Sequence, residues 1–340
     1  MKAIVYTTGG GPEVLTLVER PLPEPGPGEV RVRVHVSGVN PTDWKSRTAG
    51  LAPGITAQVP NQDGAGVVDA VGPGVDPARV GERVWIWEAA RLRADGTAQE
   101  YTVLPQRQAV ALPAAASFEL GAALGIPALT AHRALTVADR GPERLAPGVL
   151  VGRTVLVAGG AGAVGNAAVQ LARWAGARVL TTVSGPAKAA LARAAGADHV
   201  VDYRAEDAAA AIRALAPAGV DVIVEVSPAQ NAVLDHAVAA PNAVIACYAV
   251  NNGPVVSYPI REFMDANLRW QGILVYTLPA EAKEHGVAAV AAAVADGALR
   301  VGEAAGLPLH RFPLAKTADA HAAVESAVVG KVLVDVVEPA

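Results

Sequence analysis

The chain has 340 residues, of which 52% are hydrophobic, a net charge of -4 and a single cysteine, Cys247. Its length exceeds one ordinary core and fits two domains, and the mildly acidic balance offers nothing to nucleic acid or anionic lipid. The apolar residues come in short runs, none approaching the roughly 20 that span a membrane, and one cysteine permits neither an intrachain disulfide nor a thiolate-rich metal centre.

Taken in chain order, Ala3-Ile4-Val5-Tyr6 reads as a strand, and Thr8 to Pro12 as a glycine-rich loop. No long apolar stretch of a signal peptide stands at the start, so a cytoplasmic protein is expected. Pro21 to Gly28 holds four prolines and two glycines and must be an extended connection. Glu29 to Val36 alternates strictly, which predicts a half-buried strand with Val30, Val32, Val34 and Val36 inward and the long charged side chains in solvent. Gly64–Gly72 and Gly81–Trp87 predict two further strands. Near Ser117 the character changes. Phe118–Leu124 and Thr130–Val137 have helical composition, with Pro127 predicting a break between them.

From Thr154 the chain alternates strand and helix. Strands are predicted at Val155–Val157, Arg178–Val183, His199–Val201, Val220–Val226 and Ala243–Cys247, and helices at Ala163–Trp174 and Ala187–Ala195. Such alternation implies a parallel sheet with helices on both faces. After about Gly272 the order loosens into an Ala-rich helix (Glu281–Ala295), a second helix (Thr317–Ser326) and a last strand (Lys331–Val337).

The most informative motif is Gly160-Ala161-Gly162-Ala163-Val164-Gly165, a GxGxxG between a predicted strand and a predicted helix. In that context Gly160 is expected to permit the tight turn, Gly162 to admit a pyrophosphate close to the backbone, and Gly165 to let helix and strand approach, with free N–H groups attracting phosphate. A preference for NAD usually places Asp or Glu at the end of the next strand, about 20 residues on. Here that end reads Thr181-Thr182-Val183-Ser184-Gly185, followed by Lys188. With no acid to repel a 2′-phosphate and an amine to attract it, NADPH is the expected cofactor. Tyr203 and Arg204, after the third strand, can approach the same corner.

Three stretches, Gly38-Val39-Asn40-Pro41-Thr42-Asp43-Trp44, Pro60 to Val68, and the strand–helix region with its glycine motif, together resemble the medium-chain dehydrogenase/reductase superfamily over nearly the whole chain. The resemblance implies an α/β protein: a Rossmann doubly wound parallel sheet plus a β-rich, GroES-like catalytic domain. The expected boundaries are 1–123 with 270–340 for the catalytic domain and 124–269 for the NADPH-binding domain, with the active cleft between them. In the zinc alcohol dehydrogenases of that superfamily a Cys stands where this chain has Asn40, and Gly-His-Glu where it has Asn61-Gln62-Asp63. Asn40 and Gln62 are poor zinc ligands and only the carboxylate of Asp63 remains, while Trp87 to Tyr101 contains no Cys for a structural zinc lobe. No metal site is therefore expected. The chain is more similar to the zinc-free, zeta-crystallin-like NADPH:quinone oxidoreductase branch, through Gly125 to Leu135, the glycine motif, and Ser184 through Lys188 to Tyr203. That resemblance implies that Lys188 and Tyr203 hold the 2′-phosphate and that Thr130 lies near the nicotinamide-side phosphate. It further implies that Ile126, Asn40 and Leu274-Val275-Tyr276 border the nicotinamide and that Lys331 sits beside the cofactor. The branch often lines its quinone pocket with tyrosines; here Trp44-Lys45 and Gly50-Leu51 stand there, so the pocket must differ in shape and polarity.

Without a Lewis acid the hydride acceptor must be helped by placed hydrogen-bond donors or by solvent. A quinone suits this, because its reduced anion is delocalised, and an α,β-unsaturated carbonyl suits it similarly. Asn40 is the candidate to polarise an oxygen through its amide, or else a turn residue before Pro41. Asp43 is a candidate proton relay, or a cap for local backbone. Lys45 is the remaining candidate donor, or an exposed lysine, and His132 and Tyr276 are further candidates. A small-molecule electrophile and a homodimer are the expected partners. Enoyl-thioester reduction and non-catalytic NADPH binding are the alternatives.

Overall fold

The alternation beginning at Glu29 produces the longest strand of the protein, Glu29–Val39, in a computed structural model that describes residues 1–251, 253–258 and 260–337. It lies central in a seven-stranded sheet. Neighbouring strands follow in the order Leu309–Pro313, Lys331–Asp335, Glu29–Val39, Asp63–Val71, Arg83–Ile86 and Ala109–Ala111, with Tyr101–Pro105 also paired to Glu29–Val39. All pairings are antiparallel except Leu309–Pro313 with Lys331–Asp335. Val30, Val32 and Val34 are fully buried and Arg33 is exposed, as the period of two requires. Arg31 departs from the expectation: it is buried, because Asp69 binds its Nε and Nη2 and Glu24 and the Pro23 carbonyl take Nη1. Neutralised and hydrogen-bonded at all three nitrogens, a guanidinium tolerates burial.

The predicted strand–helix alternation forms a six-stranded, all-parallel sheet in the order His199–Asp202, Arg178–Val183, Thr154–Ala158, Val220–Glu225, Ala239–Cys247 and Arg269–Gly272. From Thr154–Ala158 the chain winds outward through two strands, then returns to lay Val220–Glu225 on the other side. The turn after Thr154–Ala158 therefore sits at the reversal of strand order, where open α/β sheets bind ligands. The core of this sheet is aliphatic, with Leu156, Leu180, Ile223 and Ile245 buried between strands and helices.

The chain divides into two compact units, one of Met1–Ile126 with the chain from Leu309 onward, the other of Pro127–Pro308. The return to the first unit was expected at 270 and comes about 40 residues later. The helix Ala280–Ala295 and the loop after it belong with the parallel sheet. Gly286 faces Leu129 and His132 so closely that a Cβ there would lie 3.2 Å and 3.3 Å from them. Asn166 donates to Ala305 O at 2.8 Å, and Gln170 exchanges hydrogen bonds with the Arg300 backbone at 3.1 Å and 3.0 Å. These polar ties have no periodic signature in sequence.

The break expected at Pro127 is absent: one helix runs from Phe118 to Thr136. Pro127 brings no N–H of its own, and the Ile126 N–H before it is directed to the Asp63 carboxylate. The rod thus gives up donors at two successive residues and survives through packing along both flanks. Among the described residues no helix is long and apolar enough to cross a membrane.

Candidate active site

The glycine turn begins one residue before the motif read from sequence. Gly159, not Gly160, takes the left-handed conformation, with φ 72°. The other glycines are fixed by proximity. A Cβ on Gly160 would stand 2.2 Å from Thr181 Oγ1, and one on Gly165 2.3 Å from Gly159 O. A Cβ on Gly162 would meet nothing nearer than Gly159 O at 3.5 Å. Gly162 is the extended N-cap of helix Ala163–Trp174 and offers no side-chain cap, so the first-turn N–H groups of Ala163, Val164 and Gly165 lack intrahelical acceptors. Bare amides at a helix start, beside a glycine with open space, fit a pyrophosphate.

At the end of the adjacent strand, Lys188 Nζ donates to Ser184 Oγ at 3.0 Å. Tyr203 N donates to Val183 O at 3.2 Å, which brings the exposed Tyr203 to the same corner. Gly185 is left-handed there (φ 115°) with no atom within 4 Å of a would-be Cβ. One acid is close in register, Asp202 opposite Val183, but its carboxylate caps its own loop by accepting Arg204 N at 3.1 Å. Ser184 and Lys188 are thus joined by a hydrogen bond, and Tyr203 begins at the same end of the sheet.

The first unit holds a buried polar cluster built on Asn40. Asn40 ends strand Glu29–Val39 and precedes helix Pro41–Ala49, with Pro at the first helical position. Asp43, at the third, reaches back to accept Asn40 N at 2.7 Å and also accepts Gln62 N at 3.1 Å. Asn40 Nδ2 donates to Asp63 Oδ2 at 2.7 Å. Lys331 Nζ donates to Asn40 Oδ1 at 2.7 Å and to Val39 O at 3.2 Å, and stands 3.8 Å from Asp63 Oδ2. Both Asp63 oxygens also accept Ile126 N, at 2.9 and 3.0 Å. Gly125 makes room for that carboxylate, since a Cβ at 125 would lie 2.0 Å from Asp63 Oδ1. Gln62 Oε1 is taken by Ala90 N at 3.1 Å.

Asn40, Asp43, Asp63 and Lys331 are all at most 3% exposed. Burial pushes the Asp43 carboxyl up to about 8, helped by the charge of Asp63 and opposed by its hydrogen bonds from Asn40 and Gln62 and by Lys331. Asp63 rises to about 6, burial again leading, while Lys331 and the Asn40 amide pull it down. Lys331 is itself lowered by burial and sustained by the two carboxylates. The side-chain oxygens of Asn40, Gln62 and Asp63, which stand at the zinc-ligand positions of the zinc dehydrogenases, are thus committed to an ammonium, an amide N–H and backbone N–H groups. That donor set does not suit zinc, and among the described residues no group of three or more His, Cys, Asp or Glu is arranged to hold a metal.

Other sequence candidates are dispersed. Lys45 is exposed and lies over the Trp44 ring, 5.7 Å from its centroid. Thr130 is buried in its helix, Leu274 is exposed, and Val275 is buried at the start of a short 3₁₀ turn. His132 is core: Nε2 accepts Leu145 N at 3.3 Å, and burial lowers it to about 4. Sequence reading missed Gly159, Gly125 and the tie from Lys331 to Asn40. For Gly125 a signal existed, a second small residue directly before Ile126-Pro127; the Lys331–Asn40 contact joins residues 291 apart and leaves none.

Residues 26–114 match the alcohol dehydrogenase GroES-like domain family, and residues 163–285 the zinc-binding dehydrogenase family. The chain is 34% identical to a rat quinone oxidoreductase over 235 residues, 68% of each protein. In structure it is similar to a mycobacterial protein complexed with NADPH, at 31% identity and TM-score 0.81, covering 98% of this chain and 99% of that one. It is also similar to an NAD-dependent alcohol dehydrogenase, at 30% identity and TM-score 0.85, covering 99% and 100%.

Proposed function

Since this chain belongs to the medium-chain dehydrogenase/reductase superfamily, as a quinone-oxidoreductase-like enzyme, we propose that it uses NADPH to reduce a quinone or an α,β-unsaturated carbonyl compound without zinc. The observation that carries this reading is the closed Asn40–Asp63–Lys331 set, which spends on itself the atoms a metal would need. The cofactor choice is supported by the Ser184–Lys188–Tyr203 corner rather than by overall similarity, because the solved relatives include both an NADPH complex and an NAD-dependent enzyme.

When bound, NADPH supplies a hydride. The glycine turn and the N–H groups of Ala163, Val164 and Gly165 bind its pyrophosphate, and Lys188 with Ser184 holds the 2′-phosphate. Asn40 is the hydrogen-bond donor to the oxygen of the hydride acceptor. One N–H of its amide is spent on Asp63, and its carbonyl is held by Lys331, so the second N–H is fixed in direction and available to an acceptor oxygen. Asp43 works through position by fixing the Asn40 backbone. The anion formed, a hydroquinone monoanion or an enolate, is stable enough to take its proton from solvent, so no buried acid is required. Lys45, exposed over Trp44, is expected to be dispensable.

The test is a spectrophotometric screen of NADPH oxidation against quinones, enones and enoyl thioesters, with and without a zinc chelator. Quinones or enones are expected to turn over, indifferent to the chelator. Turnover with enoyl thioesters alone, or loss of activity on addition of the chelator, would remove this reading.

A homodimer is part of the same proposal. Arg269–Gly272 is the last strand of the parallel sheet, and among the described residues no strand pairs with its outer edge. Val250, Val255, Ile260, Met264 and Leu274, from the segments around that strand, are each more than half exposed. A second copy covering them satisfies both the strand's free backbone groups and the apolar side chains.

A further inference from the structure

Asn61 is the strained residue beside the polar cluster: it is 1% exposed and left-handed, with φ 76°, directly before Gln62 and Asp63. A conformation that L side chains rarely adopt persists only where its surroundings over-determine it. Both ends of its side chain are held. Nδ2 donates to Ser37 Oγ at 2.9 Å, and Oδ1 lies 2.9 Å from His321 Nε2, on helix Thr317–Glu325.

The direction of every hydrogen in this chain of contacts follows from counting. Thr97 Oγ1 has one hydrogen, and it goes to a backbone carbonyl, Asp63 O at 2.6 Å. Thr97 must then accept from Ser37 Oγ at 2.7 Å, which leaves Ser37 accepting from Asn61. Asn61 Oδ1 can only accept, so His321 is the neutral tautomer carrying its hydrogen on Nε2. Burial and the neighbouring Arg47 keep it neutral, lowering it to about 3. The relay runs His321, Asn61, Ser37, Thr97 and ends on the backbone of Asp63, all five residues being 1% exposed or less.

We infer that His321 is a positioning residue: acting through Asn61, it fixes the left-handed turn that aims the Gln62 N–H at Asp43 and the Asp63 carboxylate at Asn40. For its effect on turnover this rests on the reaction proposed above. The residue touches neither substrate nor cofactor in this role. It sets the pitch of the short segment Asn61–Asp63, from a helix some 260 positions away in sequence.

The test compares His321→Leu, which removes the donor, with His321→Gln, which restores an N–H at similar reach, each alone and with Asn61→Gly, which keeps the left-handed turn without needing a clamp. The first readout is amide hydrogen exchange. Gln62 and Ile126 are expected to exchange about tenfold faster in His321→Leu and near the wild-type rate in His321→Gln, while amides inside Glu29–Val39 stay unchanged. The second is kinetic: kcat falls about tenfold in His321→Leu with the KM for NADPH unmoved, and His321→Gln recovers it. In the Asn61→Gly background His321→Leu is expected to add little, because its route is already cut. Equal behaviour of the Leu and Gln variants, or additive effects with Asn61→Gly, would overturn the inference. If His321→Leu does not fold, Asn61→Ala decides, because it removes both ends of the clamp while still needing one to stay left-handed: unchanged exchange at Gln62 refutes the inference. If the wild type reduces no carbonyl compound, the proposed reaction fails, and the exchange data still judge His321.

Discussion

Lys331 shows how much a single side chain decides. Its ammonium is 1% exposed and is the counter-charge that keeps Asp63 tolerable in the interior. Replacing it with Met leaves a buried carboxylate without its counter-charge and the Asn40 carbonyl oxygen without a donor, and removing one member of such a pair typically costs about 3–5 kcal/mol. We expect urea unfolding of Lys331→Met to register a loss of that order, and Lys331→Met with Asp63→Leu to recover much of it. A loss under 1 kcal/mol in the single variant would mean that the pair is hydrated. Lys188 is the contrasting case, partly exposed and bonded only to Ser184. Lys188→Ala should leave stability alone and weaken NADPH about tenfold while scarcely touching NADH, read by calorimetry. Equal weakening of both cofactors would contradict the 2′-phosphate role.

At the scale of the element, the glycine turn separates folding from binding. Gly165→Ala drives a methyl to 2.3 Å from Gly159 O and should lower the melting temperature, whereas Gly162→Ala makes only an ordinary contact with Gly159 O at 3.5 Å and should leave it in place. NADPH affinity should nonetheless fall at least tenfold in Gly162→Ala, since the methyl occupies the approach to the helix start. The strand–turn–helix that carries this turn was readable from sequence because its signals are local: an aliphatic run, closely spaced glycines, then an amphipathic helix. So were the Ser184–Lys188 corner and the exposed inclination of Lys45. What escaped was non-local or cancelled. Pro127 has the signature of a helix break, and the rod nevertheless continues to Thr136. The helix Pro41–Ala49 was hidden in a segment of polar residues with low helical contrast, so Asp43 was an undecided choice between relay and cap until Asn40 N was seen to reach it. Gly159 was overlooked because the spacing rule fits Gly160 equally well.

For the whole molecule, the buried carboxyls set a pH dependence. Asp43 and Asp63 titrate near 8 and 6 in the folded protein, against about 4 for a free carboxyl. The folded chain therefore retains protons that the unfolded chain has released, so stability falls as pH rises from about 4 toward 8. Lys331, lowered, acts in the opposite sense at higher pH. Urea midpoints should drop between pH 5 and pH 8 in the native chain and drop less in Asp43→Asn; a rise over that interval would contradict the buried titration. The exposed apolar row near Arg269–Gly272 predicts a second property of the assembly. Met264→Glu with Ile260→Glu should move the protein from dimer to monomer in sedimentation, and a native chain that already sediments as a monomer would dismiss the dimer.

The unit that holds Asn40 is assembled from the two ends of the chain, with strand Lys331–Asp335 laid against Glu29–Val39. On the ribosome this has a timetable. Residues 127–308 are synthesised as one uninterrupted stretch and are free to fold while the earlier half waits for a partner strand not yet translated. Until Lys331 emerges, Asp43 and Asp63 have no ammonium and must stay in water, so the nascent protein carries an unfinished sheet edge until that strand is translated. A stop codon just before Lys331 thus withholds both the closing strand and the charge that allows the interior to dry.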